Sequence, residues 1–89
     1  MKRPKSIEGR IRYYGIALAE LAAQAYLTGV RAQFEMHTKP TESRIYAFFR
    51  NEKGMECCSA NLDNDLMLDW WEEKVEAYMI AFKGQEVLS

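Results

Sequence analysis

The sequence predicts a two-layer α+β fold of order α-β-β-β-α, in which two helices pack on one face of a three-stranded antiparallel meander. Two observations predict this class. Apolar residues recur at helical spacings of three and four near both ends of the chain. Between these segments the pattern changes to the two-residue alternation of strands, interrupted by turn-forming residues. We expect a single domain, residues 1–89, because a chain of this length builds one small core.

The first helix is predicted over residues 6–28, with Ser6 as its cap and Gly29 as the residue that ends it. Its core-facing positions follow spacings of four and three: Ile7, Ile11, Tyr14, Leu18, Leu21 and Ala25. A second row of small residues lies beside them and allows close approach of another element: Gly15, Ala19, Ala22 and Ala23. Either row can serve a partner, and pairing of this helix with its own copy is an open alternative.

Three strands are predicted over residues 30–38, 44–50 and 55–62. The first alternates apolar and polar residues, which is typical of a strand with one buried face. A proline and several polar residues come after it and predict a loop. Gly54 closes a short turn between the last two strands, where we expect it to take a positive φ. The three strands therefore form a meander.

The second helix is predicted over residues 65–83, and Asp63, Asn64 and Asp65 offer caps for its start. Its core-facing stripe is Leu68, Trp71, Val75, Tyr78 and Phe82. The opposite side is acidic and carries Asp69, Glu72, Glu73 and Glu76. Trp70 is rotated by about 100° from Trp71 and is therefore expected at the rim of the core, where an exposed ring can anchor a partner.

The order of elements resembles that of the double-stranded-RNA-binding domain. That family presents a run of lysines toward phosphates at the start of its second helix. The present chain has other residues there, namely Asp65, Leu66, Met67, Leu68, Asp69 and Trp70. The resemblance therefore covers topology alone and implies no RNA binding.

The second strand, residues 44–50, reads RIYAFFR and is apolar on both of its faces. Ile45, Ala47 and Phe49 point to one face, which we expect to meet the helices. If the turn pairs Arg50 with Met55, the other face carries Arg44, Tyr46, Phe48, Arg50, Met55, Cys57 and Ser59. The contact residues that we predict on this face are Arg44, Tyr46, Phe48 and Arg50.

Three interpretations of this second face remain open. Aromatic and arginine side chains are enriched at protein interfaces, which favours a protein partner or a second copy of the chain. The same side chains can stack on bases and meet phosphates, which indicates a nucleic acid. In the third interpretation the strand register differs, and this face is the internal core.

The acidic side of the second helix has two interpretations. The simpler one is a solvated helix face. In the other, Glu72, Glu73 and Glu76 form a negative strip that docks on a basic surface and competes with nucleic acid for it. Small inhibitors of nucleic-acid machinery that phages and mobile elements encode are similar in style, since they are short, free of motifs and asymmetrically charged.

The net charge of −1 is unevenly distributed along the chain. Residues 1–50 carry nine Lys and Arg against four Asp and Glu (+5), and residues 51–89 carry three against nine (−6). This balance argues against a dedicated nucleic-acid-binding domain, which normally has a net basic surface. Such a module is the alternative function. It would combine the arginine and aromatic sheet face with the basic N-terminal residues Lys2, Arg3, Lys5, Arg10 and Arg12.

Motifs for catalysis, metal binding and cofactor binding are missing from the sequence. His37 with Cys57 or Cys58 is the one candidate pair of base and nucleophile, and the predicted strand order separates its members. A calcium-binding loop that started at Asn61 would have oxygen-bearing side chains at several ligand positions: Asn61, Asp63, Asp65, Asp69 and Glu72. This calcium-loop frame fails at Leu66, where the sharp turn of the loop needs glycine. We therefore expect no enzyme, no metal and no cofactor.

Composition and cysteine usage indicate a folded cytoplasmic protein. Hydrophobic residues make up 48% and charged residues 28%, as in folded soluble proteins. The first residues, MKRPKS, are basic, but charged residues interrupt the segment after them, so neither a secretory signal nor a membrane span is predicted. Cys57 and Cys58 are neighbours on a strand and point to opposite faces, which is incompatible with an ordinary disulfide framework and favours a reducing compartment.

These observations together favour a small, non-enzymatic protein-binding module that acts as a homodimer and contacts no membrane. We expect it to inhibit or modulate a larger complex, for example one that handles nucleic acid. The predicted contact residues are Arg44, Tyr46, Phe48, Arg50, Trp70, Glu72, Glu73 and Glu76.

Overall fold

The computed structural model describes residues 3–84, which form two helices and a three-stranded antiparallel sheet. The strands lie in the order β1-β2-β3, so that β2 is central. The α+β fold class that the sequence predicts is therefore confirmed. The elements are α1 (Ile7–Thr28), β1 (Ala32–Thr38), β2 (Ser43–Asn51), β3 (Gly54–Asn61) and α2 (Asp65–Ala81).

Side-chain caps set the start of each helix. The Ser6 hydroxyl accepts a hydrogen bond from the Gly9 amide at 3.0 Å, and the Asn64 side chain accepts one from the Met67 amide at 3.0 Å. Gly29 takes the left-handed conformation, with a φ of 73°, and ends α1 as expected. Local sequence therefore fixes both helix starts and the end of α1.

The first strand and the second helix are each two residues shorter than the sequence predicts. The Val30 amide donates to the Ala25 carbonyl at 2.8 Å, so Val30 belongs to the end of α1 rather than to β1. At the other end of the chain α2 stops at Ala81. Phe82 caps it by donating its amide hydrogen to the Tyr78 carbonyl at 3.0 Å.

The hairpin between β2 and β3 has the register expected from its turn. Arg50 pairs with Met55, and Phe48 pairs with Cys57. Gly54 has a φ of 145°, a conformation that other residues rarely adopt. Since a slip of one residue would turn every side chain of one strand to the opposite face, this register decides which residues of β2 and β3 share a face.

The core lies between the helices and one face of the sheet. Ile45, Ala47 and Phe49 of β2 are buried there, with Ala47 paired to Cys58 of β3. Trp71 of α2 is buried against the same face, and its indole nitrogen donates to the Cys58 carbonyl at 3.2 Å. Both helices thus cover one face, and the interpretation in which Tyr46 and Phe48 form the internal core is wrong.

Arg10 joins the N-terminal segment to the start of α2. Its guanidinium is buried and donates to the Pro4 carbonyl at 2.7 Å and to the Leu62 carbonyl at 2.6 Å. It also pairs with the Asp65 carboxylate at 2.6 Å. A buried guanidinium needs such acceptors, because an unpaired charge in the core is strongly unfavourable.

Candidate functional site

The face of the sheet that points away from both helices is the candidate site, and we call it the open sheet face. No element of residues 3–84 covers it, since both helices pack on the other side. Pairing across the strands places Glu35, Tyr46 and Ser59 in one row and Gln33, Phe48 and Cys57 in the next. The four contact residues that the sequence predicts on β2 lie together here: Arg44, Tyr46, Phe48 and Arg50.

Three rings form the centre of the open sheet face. Tyr46 and Phe48 are stacked, with ring centroids 6.1 Å apart and planes inclined by only 4°. The His37 ring lies 4.6 Å from that of Tyr46 on its other side. Because alternate residues of a strand point the same way, the two β2 rings are held side by side by the backbone itself. Both rings are only half-buried in the chain alone.

Polar side chains frame these rings on the β1 side and at one end of β2. Arg44 donates to the Asn61 side chain at 2.7 Å and to the Ser59 hydroxyl at 3.0 Å, which holds its guanidinium against the sheet. Glu35 accepts a hydrogen bond from Gln33 at 2.7 Å and contacts His37 at 3.0 Å. The frame is therefore organised before any partner binds.

Arg50 lies at the opposite end of the open sheet face. Its side chain is exposed and makes no hydrogen bond or ion pair with another residue in the described part of the chain. Together with Phe48 and Met55 it lines a shallow cavity of about 290 Å³. One arginine of the predicted pair is thus engaged within the sheet, and the other is available to a ligand.

The two cysteines give a first test of this orientation. Cys57 is exposed on the open sheet face, whereas Cys58 is buried, and burial raises the pKa of the Cys58 thiol to about 11. We expect one thiol per native chain to react rapidly with a thiol-reactive disulfide, because Cys58 carries little thiolate and the reagent cannot reach it. Cys57→Ser should abolish the rapid reaction. Equal reactivity of both thiols in the native chain would contradict the register.

The acidic side of α2 is divided into a paired and an unpaired part. Arg3 lies 2.6 Å from Asp69 and 3.0 Å from Glu72, so the N-terminal segment neutralises these two carboxylates. Glu73 and Glu76 are exposed, and among residues 3–84 their carboxylates have no hydrogen-bond or ion-pair partner. Of the three predicted acidic contacts, Glu72 is therefore already engaged, and Glu73 and Glu76 are available.

Tyr14 of α1 joins Arg3, Asp69 and Glu72 in one hydrogen-bonded cluster. Its hydroxyl donates to Glu72 at 2.5 Å and accepts from Arg3 at 2.8 Å. Burial raises the pKa of Tyr14, and the bond to Glu72 raises it further. Burial lowers the pKa of Arg3, but hydrogen bonds to Asp69, Glu72 and Tyr14 outweigh this and raise it. The phenol stays protonated and the guanidinium stays charged.

This cluster predicts loss of stability at alkaline pH. The unfolded chain releases the Tyr14 proton near pH 10, whereas the folded chain holds it to higher pH. The stabilisation is therefore complete below about pH 10 and is lost as the pH rises further. We expect the free energy of unfolding, measured from about pH 9 to pH 11, to fall less steeply in Tyr14→Phe than in the unchanged chain. Parallel curves would contradict this role.

The basic N-terminal residues of the nucleic-acid alternative are mostly engaged inside the molecule. Arg3 and Arg10 bind acceptors of α2 and of the loop before it. Arg12 pairs with Glu8 one helical turn away at 3.1 Å. Lys2 lies outside the described residues. Three of the five predicted phosphate contacts would thus have to break existing pairs.

Trp70 lies on the outer side of α2, as its position in the helix predicts. It is 44% exposed, whereas its neighbour Trp71 is 1% exposed. Leu66 and Ile80 are exposed on the same side, and Glu73 lies between them. Sequence reasoning missed Leu66 and Ile80 because they belong to neither the core stripe nor the acidic stripe.

A groove of about 540 Å³ runs between the two helices and is a second feature that sequence reasoning missed. Tyr13, Ala17 and Leu21 of α1 form one wall, and Val75 and Met79 of α2 form the other. Three carboxylates lie at its edges, those of Glu20, Glu72 and Glu76. Both helices pack on the sheet but leave a gap between them. The amphipathic spacing of each helix predicts which side meets the sheet, but it does not predict the distance between the helices.

The residues considered for catalysis and metal binding are not assembled into a site. His37 is in register with Arg44, and Cys57 with Phe48, so they are separated by four residues along the strands, or about 13 Å. Asp69 and Glu72 of the calcium-loop frame are bound to Arg3. Within residues 3–84, no group of three or more His, Cys, Asp or Glu is placed to hold a metal ion.

Comparison of the chain with protein-family models, with curated proteins and with solved structures found no match. Across the described residues, neither helix combines the length and the apolar character needed to cross a membrane.

Proposed function

We propose that this chain is a small, non-enzymatic protein-binding module of the cytoplasm, and that its open sheet face binds a larger protein. The observation that carries the proposal is the stacked pair of Tyr46 and Phe48, half-buried on a face without cover from residues 3–84. Aromatic rings and arginines supply most of the binding energy at protein interfaces. Tyr46, Phe48 and Arg50 provide both kinds of side chain within one patch.

A protein partner fits this face better than a nucleic acid does. Glu35 lies beside Tyr46 and would repel a phosphate backbone that followed the rings. Arg44 is hydrogen-bonded within the sheet, and Arg3, Arg10 and Arg12 are paired elsewhere. Arg50 stays available beside Phe48, and together with the rings and Glu35 it leaves a mixed charged, polar and aromatic surface, which is typical of protein interfaces.

We further propose that binding inhibits or modulates a complex that handles nucleic acid. The support is electrostatic. Glu73 and Glu76 are exposed and unpaired in the described chain, so they can meet the basic surface that such complexes use for phosphates. The style of the sequence, short and motif-free with acidic charge concentrated in its second half, resembles phage-encoded inhibitors. We also propose that the module acts as a homodimer.

Capture of partners from the native host tests the proposal. Tagged chains carrying Tyr46→Ala/Phe48→Ala should lose the main partner, and Glu73→Lys/Glu76→Lys should weaken its capture in a salt-dependent manner. Ile7→Ala, which removes exposed apolar surface from the start of α1 and lies on neither proposed surface, serves as the control and should retain the partner. An identical captured set for the unchanged chain and the first two variants would contradict both proposed surfaces.

Nuclease treatment of the lysate separates the protein partner from the nucleic-acid alternative. A protein partner remains bound after the nucleic acid is removed. If capture requires nucleic acid, and if the purified chain binds it with an affinity that falls steeply as salt rises, the alternative function is correct.

A further inference from the structure

The outward side of α1 carries more exposed apolar surface than the fold explains. Ile16, Tyr26 and Leu27 are 66%, 86% and 75% exposed. Small exposed residues lie between them on the same side of the helix. The complete set, which we call the α1 flank, is Gly15, Ile16, Ala19, Ala22, Ala23, Tyr26 and Leu27. These seven residues are uncharged, and exposed charged residues adjoin them: Arg12, which pairs with Glu8, lies one turn before them, and Glu20 lies at their rim beside Ile16.

The α1 flank lies at one edge of the molecule. Tyr13, Ala17 and Leu21 mark the side of α1 that faces the groove and α2, and the flank is on the opposite side. Because α1 packs over the edge strand β1, the flank points outward beyond that edge. The open sheet face and the groove both remain accessible when the flank is covered.

Gly15 is unexplained by the packing of the chain itself. It lies inside a helix, where glycine destabilises by about 0.5–1 kcal/mol relative to alanine. A Cβ atom added at Gly15 would meet no atom within 4 Å. Alanine would therefore fit within the monomer and favour the helix, so the missing side chain is useful only to something outside the monomer.

We infer that the α1 flank binds the α1 flank of a second copy, with the two helices antiparallel. In that arrangement Gly15 faces Tyr26 of the other copy, and Ile16 faces Leu27. Antiparallel helices pair residues about a common centre, and the midpoint between positions 15 and 26 differs by only one residue from the midpoint between positions 16 and 27. The large Tyr26 ring then lies over the one position that lacks a side chain. Ala19 faces Ala22 at the centre, where small residues let the helices approach closely.

Charge also favours a second copy over a different partner surface. The seven flank residues meet an identical set without a charged side chain in the contact, and Glu20 lies at the rim, where its carboxylate stays in solvent. The exposed apolar side of α2 is less suited to self-association, since it carries Glu73 between Trp70 and Ile80. This inference rests on the proposed homodimer and specifies the surface that forms it.

The size of the flank indicates a weak dimer. Ile16, Tyr26 and Leu27 expose roughly 400 Å² per copy, given the usual areas of such side chains. Two copies would bury about 800 Å² through these residues, which is below the roughly 1,200 Å² of stable interfaces. We therefore expect exchange between monomer and dimer at micromolar concentrations or above.

Sedimentation equilibrium over a micromolar to millimolar series tests the inference. The mass should rise from 10.4 kDa toward twice that value as concentration increases. Ile16→Glu and Leu27→Lys should each shift dissociation to at least tenfold higher concentration. Mixing these two variants should restore dimers, because antiparallel pairing brings the introduced carboxylate against the introduced amine.

Gly15→Ala should weaken the dimer while slightly raising the unfolding free energy of the monomer.

The possible failures are distinguishable. A chain that stays monomeric at millimolar concentration overturns both the homodimer and its surface. A dimer that Ile16→Glu and Leu27→Lys leave unchanged overturns the α1 flank alone. If both variants dissociate but their mixture does not recover, the antiparallel arrangement is wrong. Loss of partner capture in Tyr46→Ala/Phe48→Ala, measured separately, does not depend on any of these results.

Discussion

Arg10→Ala is expected to lower the free energy of unfolding by about 2–4 kcal/mol, chiefly because it leaves the Leu62 carbonyl without its donor. Leu62 is fully buried, and the Arg10 guanidinium binds its carbonyl at 2.6 Å. An unsatisfied buried acceptor costs about 1–3 kcal/mol, and loss of the bond to the Pro4 carbonyl adds about 1 kcal/mol. The pair with Asp65 adds little, because that carboxylate is 64% exposed.

Urea denaturation measures this effect, with Arg12→Ala as the control. Arg12 lies on the same helix and pairs with Glu8, but both side chains are more than three-quarters exposed. Its removal should change the unfolding free energy by at most about 0.5 kcal/mol. If both variants unfold at the same urea concentration, the buried hydrogen bonds of Arg10 do not stabilise the fold as described.

The second large effect concerns binding. Tyr46→Ala/Phe48→Ala should weaken the affinity for the protein partner at least about 100-fold, since truncation of a central aromatic residue commonly costs about 2 kcal/mol or more. The two losses are not expected to add fully, because the rings stack on each other. The fold should persist, because both rings are half-exposed and contribute little to the core.

Affinity is best measured by calorimetry with the captured partner, and each single variant should be compared with the double variant. Ile7→Ala provides the control for a general loss of apolar surface, because this side chain is 41% exposed on α1 and lies on neither proposed binding surface. Equal losses in the control and in the double variant would mean that exposed apolar area as such, and not the open sheet face, determines binding.

Much of the fold follows from local patterns. The positive φ of Gly54 and the turn around it fix the pairing of Arg50 with Met55, and this pairing places Tyr46 and Phe48 on one face of the sheet with Met55 and Cys57. The caps at Ser6 and Asn64 are equally local. Each of these features depends on residues close together in sequence, so the sequence was sufficient to predict them.

The features that could not be predicted depend on residues far apart in sequence. Arg3 reaches Asp69 and Glu72 only because the N-terminal segment crosses to α2, which no spacing indicates. Charge is unevenly distributed along the chain, but ion pairs across the fold, such as those of Arg3, neutralise part of that imbalance. The groove between α1 and α2 likewise depends on how the two helices are spaced on the sheet, and that spacing is a tertiary property.

The most direct measurement of the central proposal is the reactivity of the Cys57 thiol in the complex. Cys57 lies opposite Phe48 on the open sheet face, and Cys58 is buried and slow to react, so the unchanged chain can be used. If the partner binds this face, saturation with the partner should reduce the rate of Cys57 modification at least tenfold. A rate identical to that of the free chain would place the partner elsewhere and contradict the proposed function.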